Sequence, residues 1–456
     1  KRLAVFGSEA KLPEKQAPRH MAIQINNALH DLFCKYPESL LFGEDVAQKG
    51  GVYTVTKGLQ KAFKGARVFN TLLDETMILG LAQGFANLGM LPMPEIQYLA
   101  YFHNACDQIR GEACSLQFFS NGQYRNPMVM RVASLGYQRG FGGHFHNDNS
   151  ITALRDIPGL LVGCPSRGDD AVTMLRSMMA LAKVDGRVCA YLEPIALYMT
   201  KDLHVAGDGL WQTSYPEPSA AMEIGSERVY FPEHDDLLIF TFGNGVPMSL
   251  RAAREIEKTL LWKARIVDLR WLQPLNQVVI ARDAGECKRI IVVDEGRRSA
   301  GVGEGIITAI VESGQGNKPA AHLGALPPGG GLRRIPRWLL RRPRREAAPA
   351  RPRRCCRARR RLEQRGSTLG FECSRRPSSP KPAGLRSRRS PPNPVGPGFM
   401  GKKATCACVS PTSAATTTTR WSGACGSGRG VKVRPVTRTA AAWRRCSTTP
   451  SARSGG

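Results

Sequence analysis

Between residues 39 and 312, short apolar runs alternate with stretches of helical periodicity. That alternation restricts the chain to a mainly parallel sheet covered on both faces by helices. A helical stripe of Ile25, Ala28, Leu29, Leu32 and Phe33 ends before Tyr36-Pro37. A buried strand at 39–43 then leads into Glu44-Asp45, and a second at 67–71 runs into Asp74-Glu75. The helix that follows has Ile78, Leu81, Ala82, Phe85 and Leu88 facing inward and closes at Gly89. Further on the spacing predicts a helix at 101–119, a strand at 128–133, a strand at 159–164, a helix at 169–183 and a strand at 187–192. After a polar loop a second α/β unit begins, with strands at 237–242, 264–268 and 288–294 and helices at 246–260 and 302–312. In open sheets of this kind ligands bind outside the carboxyl ends of the strands. Glu44, Glu75, the loop after Ala133 and the Asp294-Glu295-Gly296 turn are therefore the places to inspect.

The chain has a formal net charge of +28, which suggests a nucleic-acid or membrane-surface protein. The charge is confined to one region. Residues 319–456 hold 31 basic and 3 acidic side chains, whereas residues 1–318 hold 34 of each and are neutral. The same stretch contains 17 of the 31 prolines, no Asp, no Tyr and one isoleucine, Ile335. Such a composition buries too little apolar surface to offset backbone ordering, so a disordered basic tail is expected there.

The expected organisation is a linker at 1–20, an α/β parallel-sheet domain at 21–200, a connecting loop at 201–223, a second α/β domain at 224–318 and the tail at 319–456. No apolar run approaches the ~18 residues that span a bilayer, so no membrane association is expected. The cysteines within 1–318 are scattered with no CxxC or Cys/His cluster at metal spacing, which points to reduced, buried thiols.

Three glycine-rich stretches invite a ligand-site reading. Gly301-Val302-Gly303-Glu304-Gly305 opens a helix but lacks GxGxxG spacing, and close helix packing accounts for it. Gly207-Asp208-Gly209 has no asparagine at the distance a diphosphate-metal motif requires, so no metal site is expected. In the loop after residue 133, Gly140 to Gly143 precede His144 and His146, which offers an imidazole to a cleft; a metal pair without a third ligand is the weaker reading.

Several ordered motifs together carry a resemblance: Gly43-Glu44-Asp45-Val46, Gly50-Gly51-Val52-Tyr53, Val68 to Glu75, Pro94-Glu95-Ile96-Gln97 through Asp107-Gln108-Ile109, Pro158-Gly159-Leu160, Val267-Asp268-Leu269-Arg270 and Asp294-Glu295-Gly296. Over about residues 21–314 the chain resembles the beta subunit of the decarboxylating component of 2-oxo acid dehydrogenases, branched-chain or pyruvate type, within the transketolase-like thiamine diphosphate enzymes. The resemblance implies a pyrimidine-binding domain followed by a transketolase C-terminal domain, here incomplete.

It further implies oxidative decarboxylation of a 2-oxo acid and reductive acylation of a lipoyl domain. Thiamine diphosphate would lie between this chain and an alpha chain, or an alpha-like segment fused upstream, that supplies the magnesium site. An alpha2beta2-type assembly and a lipoyl acyltransferase are the implied partners, in the bacterial cytoplasm or the mitochondrial matrix. Glu75 matches the glutamate that hydrogen-bonds the aminopyrimidine, a task needing a sheltered carboxylate, although an acid at a helix start is also an ordinary cap. Tyr101 matches an aromatic that packs on the pyrimidine. His146 matches the histidine of proton and acyl transfer, although the family commonly reads His-Ser-Gln where this chain has His146-Asn147-Asp148. Glu44 matches an acid near the proton path between sites.

Another transketolase-type thiamine enzyme is the alternative within the fold, and nucleic-acid binding through the arginine-rich tail is the alternative outside it. Shifted reading of GC-rich coding sequence enriches Arg, Pro, Ala, Gly, Ser, Thr, Cys and Trp. The sharper expectation is therefore that residues after about Lys318 are translated out of frame, leaving the second domain short and the chain without activity of its own. A natural basic tail is the other possibility.

Overall fold

Parallel strand–helix alternation produces two sheets in the computed structural model, which describes residues 1–136 and 146–324. The expectations for His144, the glycines before it and the tail from 325 onward lie outside those residues. In chain order the helices are α1 (Arg2–Phe6), α2 (Met21–Lys35), α3 (Leu59–Phe63), α4 (Glu75–Asn87), α5 (Leu116–Phe119), α6 (Ile151–Arg155), α7 (Gly168–Asp185), α8 (Gly245–Leu260), α9 (Gln277–Glu286) and α10 (Val302–Ile310). The strands are β1 (Ser39–Gly43), β2 (Val68–Asn70), β3 (Leu91–Ile96), β4 (Met128–Ser134), β5 (Leu161–Gly163), β6 (Val188–Pro194), β7 (Arg228–Tyr230), β8 (Leu237–Thr241), β9 (Ala264–Asp268), β10 (Trp271–Gln273), β11 (Ile290–Asp294) and β12 (Ala320–Gly324).

The first sheet has the order β10-β5-β6-β4-β3-β1-β2 and the second β12-β11-β8-β9-β7. Both are parallel except at one edge each, where β10 pairs antiparallel with β5 and β7 with β9. Strands β1, β3, β4 and β6 are buried along their whole length, because helices cover both sides, and are largely apolar apart from Glu95, Arg131 and Glu193. One core cluster includes Phe42, Met130 and Val132 from the first sheet and Ile78 from α4, with Phe240 and Val267 from the second sheet and Ile306 from α10. The two halves thus share buried surface.

Strand β3 carries Pro92 and Pro94 between two neighbours, a place where proline usually breaks a ladder. The N–H of Leu91 donates to Glu38 on the β1 side, so the alternate residues Pro92 and Pro94 face β4. Pairing with β4 starts only at Glu95 and Ile96, beyond both prolines.

Several expectations need correction. Residues 1–20 are docked rather than a linker: the Arg2 guanidinium bridges Glu14 at 2.7 Å and Asp31 at 2.6 Å, and Arg19 pairs with Thr213. The helix expected at 101–119 is three short pieces, a 3-10 turn at Leu99–Ala105, a π turn at Gln108–Ala113 and α5. On α4 the buried stripe is Ile78, Leu79, Ala82 and Ala86, while Leu88 is 79% exposed, because the chain reverses at Gly89 (φ 83°) directly behind it. The second sheet also runs past residue 318: β12 pairs in register with β11 from Ile290↔Ala320 to Asp294↔Gly324. Among the described residues no helix is long and apolar enough to cross a membrane.

Candidate active site

Glu44, Glu75, Tyr101 and His146 follow β1, β2, β3 and β4, which are adjacent in the sheet. Parallel strands place all four beyond one edge of the sheet.

Glu75 is the first residue of α4, and the structure separates it from helix capping. The cap is Asp74, whose Oδ1 accepts from the Met77 N–H at 3.1 Å. Glu75 is 5% exposed, and its Oε2 accepts from Asn104 Nδ2 at 3.2 Å. Asn104 is itself held by its neighbour in space, since the Thr76 hydroxyl donates to its carbonyl at 2.6 Å.

Tyr101 shares the 3-10 turn with Asn104, and its hydroxyl lies 3.2 Å from His146 Nε2. A Tyr101 O–H donated to Nε2 leaves the neutral imidazole proton on Nδ1. Tyr98 packs edge-on to both rings, with centroids 4.8 Å from His146 and 5.5 Å from Tyr101. Burial, Tyr98 and the charges of Glu44 and Glu75 push the Tyr101 hydroxyl above its ordinary range. Burial likewise lifts the Glu44 carboxyl, with Asp45 and Glu75 adding to it. These mutual effects mark three of the four residues as near neighbours in one electrostatic environment.

Beneath the aromatic cluster lies a buried triad. Arg131 donates to Glu193 at 2.7 and 3.0 Å and to Glu95, and Tyr198 donates to Glu193 at 2.6 Å. Arg131 keeps its charge: burial opposes it, but the two carboxylates outweigh burial and raise its pKa. Tyr53, whose ring packs 5.3 Å from Tyr198, joins the triad to Tyr98. A cavity of about 20 Å³ beside Tyr53, Glu95 and Arg131 holds little more than a water. A larger cavity of about 330 Å³ near Arg167, Trp211, Tyr230 and Leu250 includes none of the four residues.

The Gly207-Asp208-Gly209 stretch is a self-contained turn. Asp208 accepts from the backbone N–H groups of Leu203, His204, Val205 and Leu210, which hold its carboxyl well below the usual range. Among the described residues no cluster of His, Cys, Asp or Glu could hold a metal ion. The residues present fit one end of thiamine diphosphate, with a sheltered carboxylate for a heterocyclic nitrogen and aromatic walls for a flat ring.

Sequence reasoning missed the partners of these groups, Asn104 and Tyr98. Asn104 stands three residues from Tyr101, but one asparagine in a polar turn carries no periodic signal.

Residues 19–196 match the transketolase pyrimidine-binding domain and residues 229–329 the transketolase C-terminal domain. The chain is thus built as a transketolase-like protein. It is 35% identical over 293 residues to 3-methyl-2-oxobutanoate dehydrogenase subunit beta of Mycobacterium tuberculosis, covering 64% of this chain and 79% of that one. It is 34% identical over 297 residues to pyruvate dehydrogenase E1 component subunit beta of Staphylococcus aureus, covering 64% and 84%. A solved structure of a split-gene transketolase, an inactive beta4 tetramer, shares the fold with a TM-score of 0.54 at 18% identity, over 69% of this chain and 92% of that chain. The chain belongs to the family of 2-oxo acid dehydrogenase beta subunits.

Proposed function

We propose that this chain forms the pyrimidine-side half of a thiamine diphosphate site and, with an alpha partner, decarboxylates a 2-oxo acid oxidatively and passes the acyl group to a lipoyl domain. The observation that carries this is Glu75: buried, released from capping by Asp74, close enough to Tyr101 and Glu44 to raise both, and linked to His146 through Tyr101. When bound, the cofactor supplies a carbon nucleophile and an electron sink for loss of carbon dioxide.

The protein's own contribution begins with Glu75, whose carboxylate holds a proton on the pyrimidine ring in a place water reaches poorly. Tyr101 offers a flat wall and orients His146 through its hydroxyl. His146 then moves a proton at the mouth of the site, and Glu44, with its lifted carboxyl, is able to exchange one. A diphosphate-metal site is to be supplied by the alpha chain. Leu72 and Leu73, 73% and 67% exposed immediately before Asp74, form an apolar step beside Glu75 suited to that chain.

The relatives named above act on branched-chain or pyruvate-type substrates, and we favour a branched-chain 2-oxo acid. The test is release of labelled carbon dioxide by the chain co-expressed with its alpha partner. Glu75→Ala is expected to lower the rate by at least ~100-fold. A Glu75→Ala protein with wild-type turnover would overturn the assignment.

A further inference from the structure

Two turns of the C-terminal domain grip the chain on either side of residues 137–145. Before that segment, Asn244, buried after β8, donates Nδ2 to the Leu135 carbonyl at 2.8 Å and to Glu295 Oε1 at 3.1 Å. After it, Asn149 Nδ2 donates to the Glu295 carbonyl at 3.4 Å. Arg297 then spans two residues of the same stretch, donating Nη2 to Asp148 Oδ1 at 2.9 Å and Nη1 to Ser150 Oγ at 3.0 Å. His103 meets the same pair from the first domain, its Nε2 lying 3.1 Å from Ser150 Oγ and 3.6 Å from Asp148 Oδ2. His103 sits between Tyr101, which touches His146, and Asn104, which holds Glu75.

Resting on the functional reading above, we propose that Arg297 is a positioning residue for His146. It pins Asp148 and Ser150, two and four residues beyond the imidazole, to the turn that follows β11. A planar guanidinium engaging a carboxylate and a hydroxyl together fixes direction as well as distance. A lone exposed ion pair would contribute little. Here His103 meets the same aspartate and serine, and Asn149 and Asn244 bond Glu295, two residues before Arg297, so the second domain sets where the first domain's histidine stands. Asp148 and Arg297 act as a matched pair, which gives a reason for the aspartate at that place.

The test uses the full chain co-expressed with its alpha partner and measures three quantities. These are carbon dioxide release with an artificial electron acceptor, acyl transfer to a lipoyl domain, and hydrogen exchange of backbone amides at 146–151. Arg297→Gln is expected to slow acyl transfer by ~10-fold or more with little change in KM for the 2-oxo acid. Arg297→Lys, a point charge without the fork, is expected to fall between. In a His146→Ala background, Arg297→Gln should add less than about 2-fold, because two residues acting through one step are not additive. Exchange at 146–151 should accelerate by ~10-fold in Arg297→Gln, and Asp148→Asn should copy it.

Wild-type acyl transfer by Arg297→Gln, or an equal loss in both backgrounds, would overturn the proposal. Unchanged exchange at 146–151 would also overturn it, and that readout decides even for a chain without turnover. Absence of carbon dioxide release by the wild-type complex would instead count against the function proposed above.

Discussion

Asp74 and Glu75 are adjacent acids at one helix end, yet exposure divides their tasks. Asp74 stands in water and caps α4, whereas Glu75 is turned inward onto Asn104. A swap of their roles is not available, because the cap position alone has the extended backbone that lets a side chain reach back to Met77. Asp74→Ala should therefore cost about 1 kcal/mol of stability without abolishing chemistry, which thermal unfolding and turnover of the same sample would show. Glu295 provides a pH test at this scale. Burial lifts its carboxyl to about 7, against about 4.3 in an unfolded chain. The folded state then binds more protons than the unfolded state between those values, so the stability it contributes at low pH is lost as pH rises toward 7. Asp268, raised to about 7 by burial and Asp170, acts with the same sign. Glu295→Gln is expected to match wild type near pH 4 and to be the more stable of the two near pH 7, with a shallower slope between. Denaturant titration across that range checks it.

Elements with strong periodicity are legible in the order of residues. The β1, β4, β8, β9 and β11 runs and helices α2, α7 and α8 follow from apolar spacing alone. The elements that escape such reading are set by tertiary context. Strand β3 hides behind two prolines whose missing N–H groups face the side where no ladder has yet begun. Three-residue β10 is too short to show a period. The candidate site residues Glu44 and Glu75 and the loop carrying His146 are legible by their place after strands as well as by family motif, and Tyr101 by motif only, but Arg297 reaches Asp148 across 149 positions, and no local pattern reports that. The packing reading of the 301–305 glycines has a direct structural counterpart. A Cβ on Gly303 would lie 2.1 Å from His322 Nε2, so α10 rests against β12 only because that side chain is absent. Gly303→Ala should destabilise by roughly 1–3 kcal/mol. Adding His322→Ala should recover much of that loss in a thermal melt.

At the scale of the whole molecule, the second sheet runs across the break in composition at residue 319. Strand β12 lies beyond that break, and its Ala320-Ala321-His322-Leu323 run is too slightly apolar to announce itself. Ala321 is nonetheless buried, and Lys318 Nζ donates to the carbonyls of Ala284, Gly285 and Cys287 just before it. A chain ending at residue 318 should therefore melt lower than one ending at residue 324, or fail to fold. Equal midpoints for both would show that β12 adds nothing.

Strand β10 leaves the second domain's sequence to become the edge of the first sheet, with Trp271 buried in that sheet's core. Genetically, the chain is therefore not two modules joined by a tether. A gene divided between the two matched domains would leave the amino-terminal product with β5 as a bare edge strand and a vacancy where Trp271 belongs. Neither product is then an independent heritable unit, and recombination that exchanges the second domain must bring its tryptophan along.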